Sequence, residues 1–249
     1  MGMRRGVILL PPPSLPELIA ARTLALFLDF DGTLVDIAET PDGIVVPDSL
    51  ADGLLALRDR LEGKLAVVTG RALDNLEKHV GDVPLIRAGA HGAQRVDERG
   101  APIGSRPSEL PPRARKALHG FAKTNGLTCE DKGSGIAVHY RNREDCAEPL
   151  LALAHETARG VGGKVTHGKC VVEVTSMGAD KGSAVEAILQ LPAFADAMPV
   201  FIGDDVTDED GFAAAEAHGG FGIHVGSREP QGARYKLDSV AAVHHWLGL

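Results

Sequence analysis

The apolar run Leu24-Ala25-Leu26-Phe27-Leu28 feeds straight into Asp29-Phe30-Asp31 and then breaks at Gly32-Thr33. A short apolar stretch closed by a glycine reads as a buried strand. Residues two apart on a strand emerge on the same side, so the spacing predicts that Asp29 and Asp31 come together at the strand's C-terminal end. Open α/β sheets place their chemistry at that end. Gly32 lets the backbone turn sharply, and Thr33 adds a hydroxyl donor beside the acids. Two carboxylates held close repel unless a cation or a shared proton intervenes. Mg²⁺ is the simplest remedy, because hard oxygen ligands suit it and it keeps open positions for a phosphate.

The flanking pattern extends that strand into an α/β fold. Leu15 to Arg22 reads as a short helix. Asp48 to Leu61 reads as an amphipathic one, with Leu50, Leu54, Leu57 and Leu61 at helical spacing and Asp48 or Ser49 as its cap. Lys64 to Val68 is a second apolar strand ending in Thr69-Gly70-Arg71, followed by a helix to Val80 and a strand that reaches Gly89-Ala90-His91-Gly92. Strands alternating with helices on short links call for a doubly wound parallel sheet, a Rossmann-like core. From Ser105 to Thr175 the order becomes α-β-β-α-β-β, which predicts an inserted smaller α+β domain. The core is then residues 1–104 and 176–249. The rhythm resumes with a helix after Lys181, the strand Pro199 to Ile202, and Gly203-Asp204-Asp205.

At 249 residues the chain has ample length for such a core. A formal net charge of −8 argues against a polyanion binder, and 4% aromatic residues leave no platform for stacking bases, so no nucleic-acid partner is expected. Arg4 and Arg5 before Val7-Ile8-Leu9-Leu10 resemble the start of a leader, but Pro11-Pro12-Pro13 ends that apolar run far short of a membrane span. Cys129, Cys146 and Cys170 are odd in number and form no C-x-x-C, which predicts reduced thiols in a cytoplasmic protein. A monomer that neither spans nor binds a membrane is expected.

Four polar clusters fall at the ends of predicted core strands or at the helix start that faces them. These are Asp29/Asp31 with Thr33; Thr69, whose hydroxyl and backbone N–H are expected at a helix N-terminus suited to phosphate; Lys181, able to hold a phosphoryl oxygen and neutralise Asp29; and the acidic run from Gly203 to Asp210. Each alone has an ordinary explanation as a cap, a solvated lysine or an acidic helix start. Together they converge on one sheet edge.

In this order, D-F-D-G-T (29–33), T-G-R (69–71), Lys181-Gly182 and G-D-D-V-T-D-E-D (203–210) resemble the haloacid dehalogenase superfamily of Mg²⁺-dependent phosphotransferases. The resemblance implies that Asp29 is the nucleophile that takes the phosphoryl group as an aspartyl phosphate. Asp31 would be the general acid and then the base, its pKa raised by Asp29 and by closure of a lid. It also implies Mg²⁺ on the side chains of Asp29 and Asp204 and the backbone C=O of Asp31. Asp205 and Asp208 would lie close behind, and Gly32, Thr69, Gly70 and Lys181 would hold phosphate. The insertion lies where this superfamily places its larger caps.

The resemblance narrows further. A-G-A-H-G (88–92), E-D-K (130–132) with I-A-V-H-Y-R (136–141), G-K-C-V-V-E-V (168–174) and G-D-D-V-T-D-E-D-G-F (203–212) are similar to the trehalose-6-phosphate phosphatase family. That implies hydrolysis of a small sugar phosphate, trehalose 6-phosphate, as the last step of trehalose biosynthesis. Glu130, Lys132, Arg141, Lys169 and Glu173 would hold the non-phosphorylated glucose, and His91-Gly92 would lie near the mouth between core and cap. Mixed Glu, Lys and Arg groups suit sugar hydroxyls, although solvated surface ion pairs would look the same in sequence. Two departures stand out: T-G-R replaces the usual S-G-R, and Gly211 stands where Ala is common, a helix-weakening change. The alternatives are a related phosphatase acting on another sugar or polyol phosphate, a non-catalytic sugar-phosphate sensor, and a mutase passing phosphate between sugars.

Overall fold

Burial in the central strand alternates between two apolar clusters, and that alternation builds the layers. The computed structural model describes residues 9–38, 43–168 and 170–249; Arg4, Arg5, Val7, Ile8 and Lys169 lie outside the described residues. The larger of two units runs up to Gly104 and resumes at Lys181. It contains α1 (Leu15–Ala21), β1 (Leu24–Leu28), α2 (Leu50–Arg60), β2 (Leu65–Val68), α3 (Leu73–Val80), β3 (Ile86–Gly89) and β4 (Gln94–Val96). The smaller unit, Ser105–Asp180, contains α4 (Pro112–Asn125), β5 (Thr128–Asp131), β6 (Gly135–His139), α5 (Ala147–Val161), β7 (Lys164–Gly168) and β8 (Val171–Thr175). It extends to Asp180, past the expected end at Thr175. The larger unit then finishes with α6 (Lys181–Leu189), β9 (Met198–Gly203), α7 (Asp208–Ala217), β10 (Phe221–Val225), β11 (Ala233–Leu237) and α8 (Val240–Leu247).

On β1, Leu24, Leu26 and Leu28 join Leu50, Leu54 and Leu57 of α2 and Val243 and Leu247 of α8 in one cluster. Ala25 and Phe27 join Ala184, Val185 and Ile188 of α6 and Phe212 of α7 in the other. A continuous apolar strand is thus covered on both faces, as a parallel sheet requires. The strand order is β11-β10-β9-β1-β2-β3-β4, parallel throughout except for β4, which pairs antiparallel with β3. The sequence pattern did not anticipate β4, a three-residue edge strand with no apolar run. The predicted cap on α2 is also corrected: Ser49 occupies the N-cap position, but its side chain makes no capping hydrogen bond.

In the smaller unit the antiparallel sheet runs β5-β6-β8-β7. Its Ile136, Val138, Val172 and Val174 pack against Leu118 of α4 and Leu150 and Ala154 of α5. The residues between them, Ala137 and Glu173 among them, project from the opposite face. No described helix of either unit is long and apolar enough to cross a membrane.

Gly211 has a packing reason rather than a helical one. A Cβ there would lie 2.5 Å from the ring of Phe201, which is fully buried and stacked edge-on against Phe212 at 5.8 Å. Alanine would gain about 1 kcal/mol in helix propensity but cost about 1–3 kcal/mol in overpacking. The Gly211→Ala variant is therefore expected to melt a few degrees below the wild type in a thermal scan, where propensity alone predicts a rise.

Candidate active site

β1 and β9 are parallel neighbours, and the chain leaves them in opposite directions, towards β2 from one and β10 from the other. A crevice opens at the C-terminal ends of two such strands. Asp29 follows β1 directly, and its N–H still donates to the Ile202 carbonyl of β9 at 2.9 Å. Asp204 follows β9. The two carboxylates are therefore brought together by topology across 175 positions of sequence, not by local spacing.

Lys181, the first residue of α6, joins them. Only 3% of it is exposed, and its Nζ donates to Asp29 Oδ1 at 2.7 Å and to Asp208 Oδ1 at 2.6 Å. The solvated-lysine explanation is excluded. Asp208 is fully buried, and its Oδ2 accepts the Asp205 N–H at 2.8 Å, so both its oxygens are engaged. Oxygens of Asp29, Asp204 and Asp208 lie within 4.8 Å of one another. Thr33, also buried, donates its hydroxyl to Asp29 Oδ2 at 3.4 Å. Gly32 is required here twice over: its φ is +80°, and a Cβ would sit 2.3 Å from Asp204 Oδ2. Its N–H donates to Val35 within the turn at 2.7 Å.

This crowding of acids sets the electrostatics. Burial pushes the Asp29 carboxyl well above its usual range; Lys181 pulls the other way, and Asp208 and Asp204 add to the rise. Burial and then the charge of Asp208 push Asp204 up to about 6. Asp208 is raised by burial against the opposing pull of Lys181. Burial would by itself lower the Lys181 pKa, but Asp208 and Asp29 outweigh it and hold the ammonium above the ordinary lysine value.

Two expectations need correction. The Asp31 carboxylate does not join Asp29 in this cluster. It turns to Arg71, whose Nε and Nη2 donate to its two oxygens at 2.7 and 2.6 Å while Nη1 donates to Asn75. Strand alternation failed because β1 ends at Leu28 and Asp31 already lies in the turn, bridged to Val35. Thr69 does not stand at the start of α3, which begins at Leu73 with Ala72 as its N-cap. Its N–H is engaged by Ala88 at 2.8 Å, and its buried hydroxyl accepts the Arg71 N–H at 3.1 Å. Gly70 is covered by the His91 imidazole, whose Cε1 would lie 2.6 Å from a Cβ at that position. His91 reaches it through a left-handed backbone, φ 54° and ψ 30°, and the Gly92 carbonyl accepts from Arg95 Nε at 2.7 Å.

Within the smaller unit, Glu130, Ala137, Glu173 and Thr166 form one cross-strand row. Lys132 Nζ lies 3.2 Å from Glu173 Oε1, a largely shielded pair with 21% and 11% side-chain exposure. Glu130 is more open, 3.9 Å from His139, and Arg141 is exposed just beyond β6. Lys169 lies outside the described residues. Sequence reasoning quoted Arg71 within T-G-R and Glu209 within the acidic run without giving either a task, and it missed Arg228, which donates to the Asp204 and Asp205 carbonyls and to Glu209. Arg228 sits in no recognisable pattern.

A family model described as trehalose-phosphatase matches residues 27–241. The trehalose-6-phosphate phosphatase of Escherichia coli strain K12 is 37% identical over 240 residues, covering 95% of this chain and 89% of that protein. A probable trehalose-phosphate phosphatase of Sinorhizobium fredii is 40% identical over 210 residues, covering 83% and 79%. The fold is similar to the C-terminal domain of the Candida albicans trehalose-6-phosphate phosphatase, with a TM-score of 0.74 at 22% identity over 96% of this chain and 98% of that one. It is also similar to a haloalkanoate-superfamily phosphatase from Bacteroides thetaiotaomicron, with a TM-score of 0.67 at 17% identity over 92% and 94%. With an α/β core that carries its acids at the switch point and a family match over most of its length, the chain belongs to the trehalose-phosphatase family.

Proposed function

We propose that this chain hydrolyses trehalose 6-phosphate to trehalose and phosphate through a phosphorylated Asp29. The observation that carries the reading is the buried Asp29 carboxylate, aimed by Lys181 and Thr33 beside Asp204. A carboxylate is a weak nucleophile towards a phosphate dianion until charge is neutralised. Asp29 Oδ2 attacks phosphorus, and the departing sugar oxygen takes a proton from Asp31. Water then attacks the aspartyl phosphate and gives its proton to Asp31, so that phosphate leaves and Asp29 is restored. Asp31 must leave the Arg71 fork to do either task, so the arrangement described is a resting one.

The acidic cluster fits Mg²⁺. Among the described residues Asp204 Oδ1 is buried without a hydrogen-bond partner, and the carboxylate oxygens are hard donors. Asp29, Asp204 and the backbone C=O of Asp31 would hold the ion, with Asp208 kept behind them by Lys181 and the Asp205 N–H. Bound there, Mg²⁺ would neutralise the carboxylates and the phosphoryl oxygens. Lys181 supplies a fixed positive charge to the same oxygens.

The smaller unit serves in this reading as the cap that selects the sugar. Glu130, Lys132, Arg141, Lys169 and Glu173 offer the acceptors and donors that hydroxyl groups need. Phosphate release from a panel of sugar phosphates tests the whole proposal. Trehalose 6-phosphate should be turned over far faster than glucose 6-phosphate or sucrose 6-phosphate, and only with Mg²⁺. Metal-dependent preference for another sugar or polyol phosphate would discard the cap assignment. Tight binding without turnover would indicate a sensor, and phosphate passed between sugars a mutase.

Three outcomes follow from these assignments. Asp29→Asn should fold normally by circular dichroism and lose about four orders of magnitude or more in turnover. Glu173→Gln should lower kcat/KM for trehalose 6-phosphate by about tenfold to a hundredfold while changing p-nitrophenyl phosphate hydrolysis little; equal losses would remove its role in sugar recognition. In EDTA, Asp204 keeps its proton up to about pH 6 when folded but only to 3.8 when unfolded. Between those values the folded state binds more protons, so melting of the metal-free protein should fall as pH rises through that window. Added Mg²⁺ should reverse the trend, giving its largest stabilisation above pH 6.

A further inference from the structure

Arg228 lies in the loop between β10 and β11, outside every motif, yet its side chain reaches the loop that carries Asp204. Nε donates to the Asp204 carbonyl at 3.2 Å, and Nη2 donates to the Asp205 carbonyl at 3.0 Å and to Glu209 Oε1 at 2.7 Å. Nη1 donates to the carbonyl of Glu229 at 3.3 Å. Glu209, on the first turn of α7, closes the ring of contacts. Its Oε1 also accepts the Gln231 N–H at 3.1 Å, and its Oε2 accepts the Gly232 N–H at 2.7 Å. The pair is mostly shielded, with side-chain exposures of 29% and 18%.

Among the described residues, one buried oxygen of the Asp204 carboxylate has no hydrogen-bond partner. No side-chain hydrogen bond to that oxygen fixes its direction, which leaves the backbone of residue 204 as the handle for aiming it. We propose that Arg228 is a positioning residue which, with Glu209, braces the Asp204-Asp205 backbone and so pre-aims the Asp204 carboxylate for the divalent cation. This inference rests on the metal reading above. A planar fork with several fixed donors can hold two successive carbonyls and a carboxylate at once; an ammonium cannot reproduce that geometry. Outer groups that orient ligands of a metal commonly change its affinity by about tenfold to a hundredfold when removed.

Coulomb's law alone predicts the opposite sign. Removing a positive charge near an acidic cluster should tighten cation binding, and Arg228→Lys should leave it unchanged. Bracing predicts weaker binding in both variants. The test is direct Mn²⁺ titration of the full chain by electron paramagnetic resonance, together with hydrogen–deuterium exchange of the peptide covering residues 203–209 in EDTA. Arg228→Met should weaken Mn²⁺ binding about tenfold and speed exchange of that peptide several-fold, and Arg228→Lys should follow in the same direction. Turnover of Arg228→Met should recover as Mg²⁺ is raised, with KM for the sugar phosphate unchanged. Unchanged or tighter Mn²⁺ binding, or unchanged exchange, would overturn the brace. If the wild type binds no divalent cation, the metal reading fails by itself, and the exchange measurement still decides whether Arg228 holds the loop.

Discussion

The site is organised by one buried ammonium shared between two buried carboxylates. Lys181 meets Asp29 and Asp208 at 2.7 and 2.6 Å where almost no water reaches. Breaking a buried pair by removing one partner leaves an uncompensated charge, so the three groups stand or fall together. They come from the end of β1, the start of α6 and the start of α7, and the contact fixes those elements at one sheet edge. A single lysine does not balance Asp29, Asp204 and Asp208. Burial above all, with neighbouring carboxylates adding to it, raises their pKa values, and a divalent cation is the proposed counter-charge.

The smaller unit divides its residues by the same alternation that builds the core. Ile136 and Val138 face its helices, whereas Glu173 projects from the other face and pairs with Lys132. In the proposed reading, chemistry and sugar selection fall to different sheets. Such a division would let the polar row of the smaller sheet change without disturbing the buried charges around Lys181.

Much of the fold was legible because its signals are local. The leucines of α2 recur at helical spacing, and all four that were singled out are buried. The strands ending at Leu28 and Val68 and the α-β-β-α-β-β order of the inserted segment follow from apolar runs and turns. What failed depended on events past an element's end. Asp31 left the strand period inside a turn, and Thr69 spent its N–H on a neighbouring strand. Edge strand β4 has no apolar pattern to read. Arg71, Arg228 and Glu209 act through contacts 19 to 40 residues away, which no local window contains. Gly211 looked like a helix defect until the Phe201 ring beneath it was placed.

The central claim is that Asp29, aimed by Lys181, takes the phosphoryl group. It is tested most directly with the Asp31→Asn variant and p-nitrophenyl phosphate, whose leaving group needs no proton. Rapid mixing should release a burst of one nitrophenol per enzyme, because the intermediate forms but has no base to hydrolyse it. Peptide mass spectrometry after acid quench should then find the phosphate on Asp29. No burst with an unmodified Asp29, or phosphate on another side chain, would contradict the account.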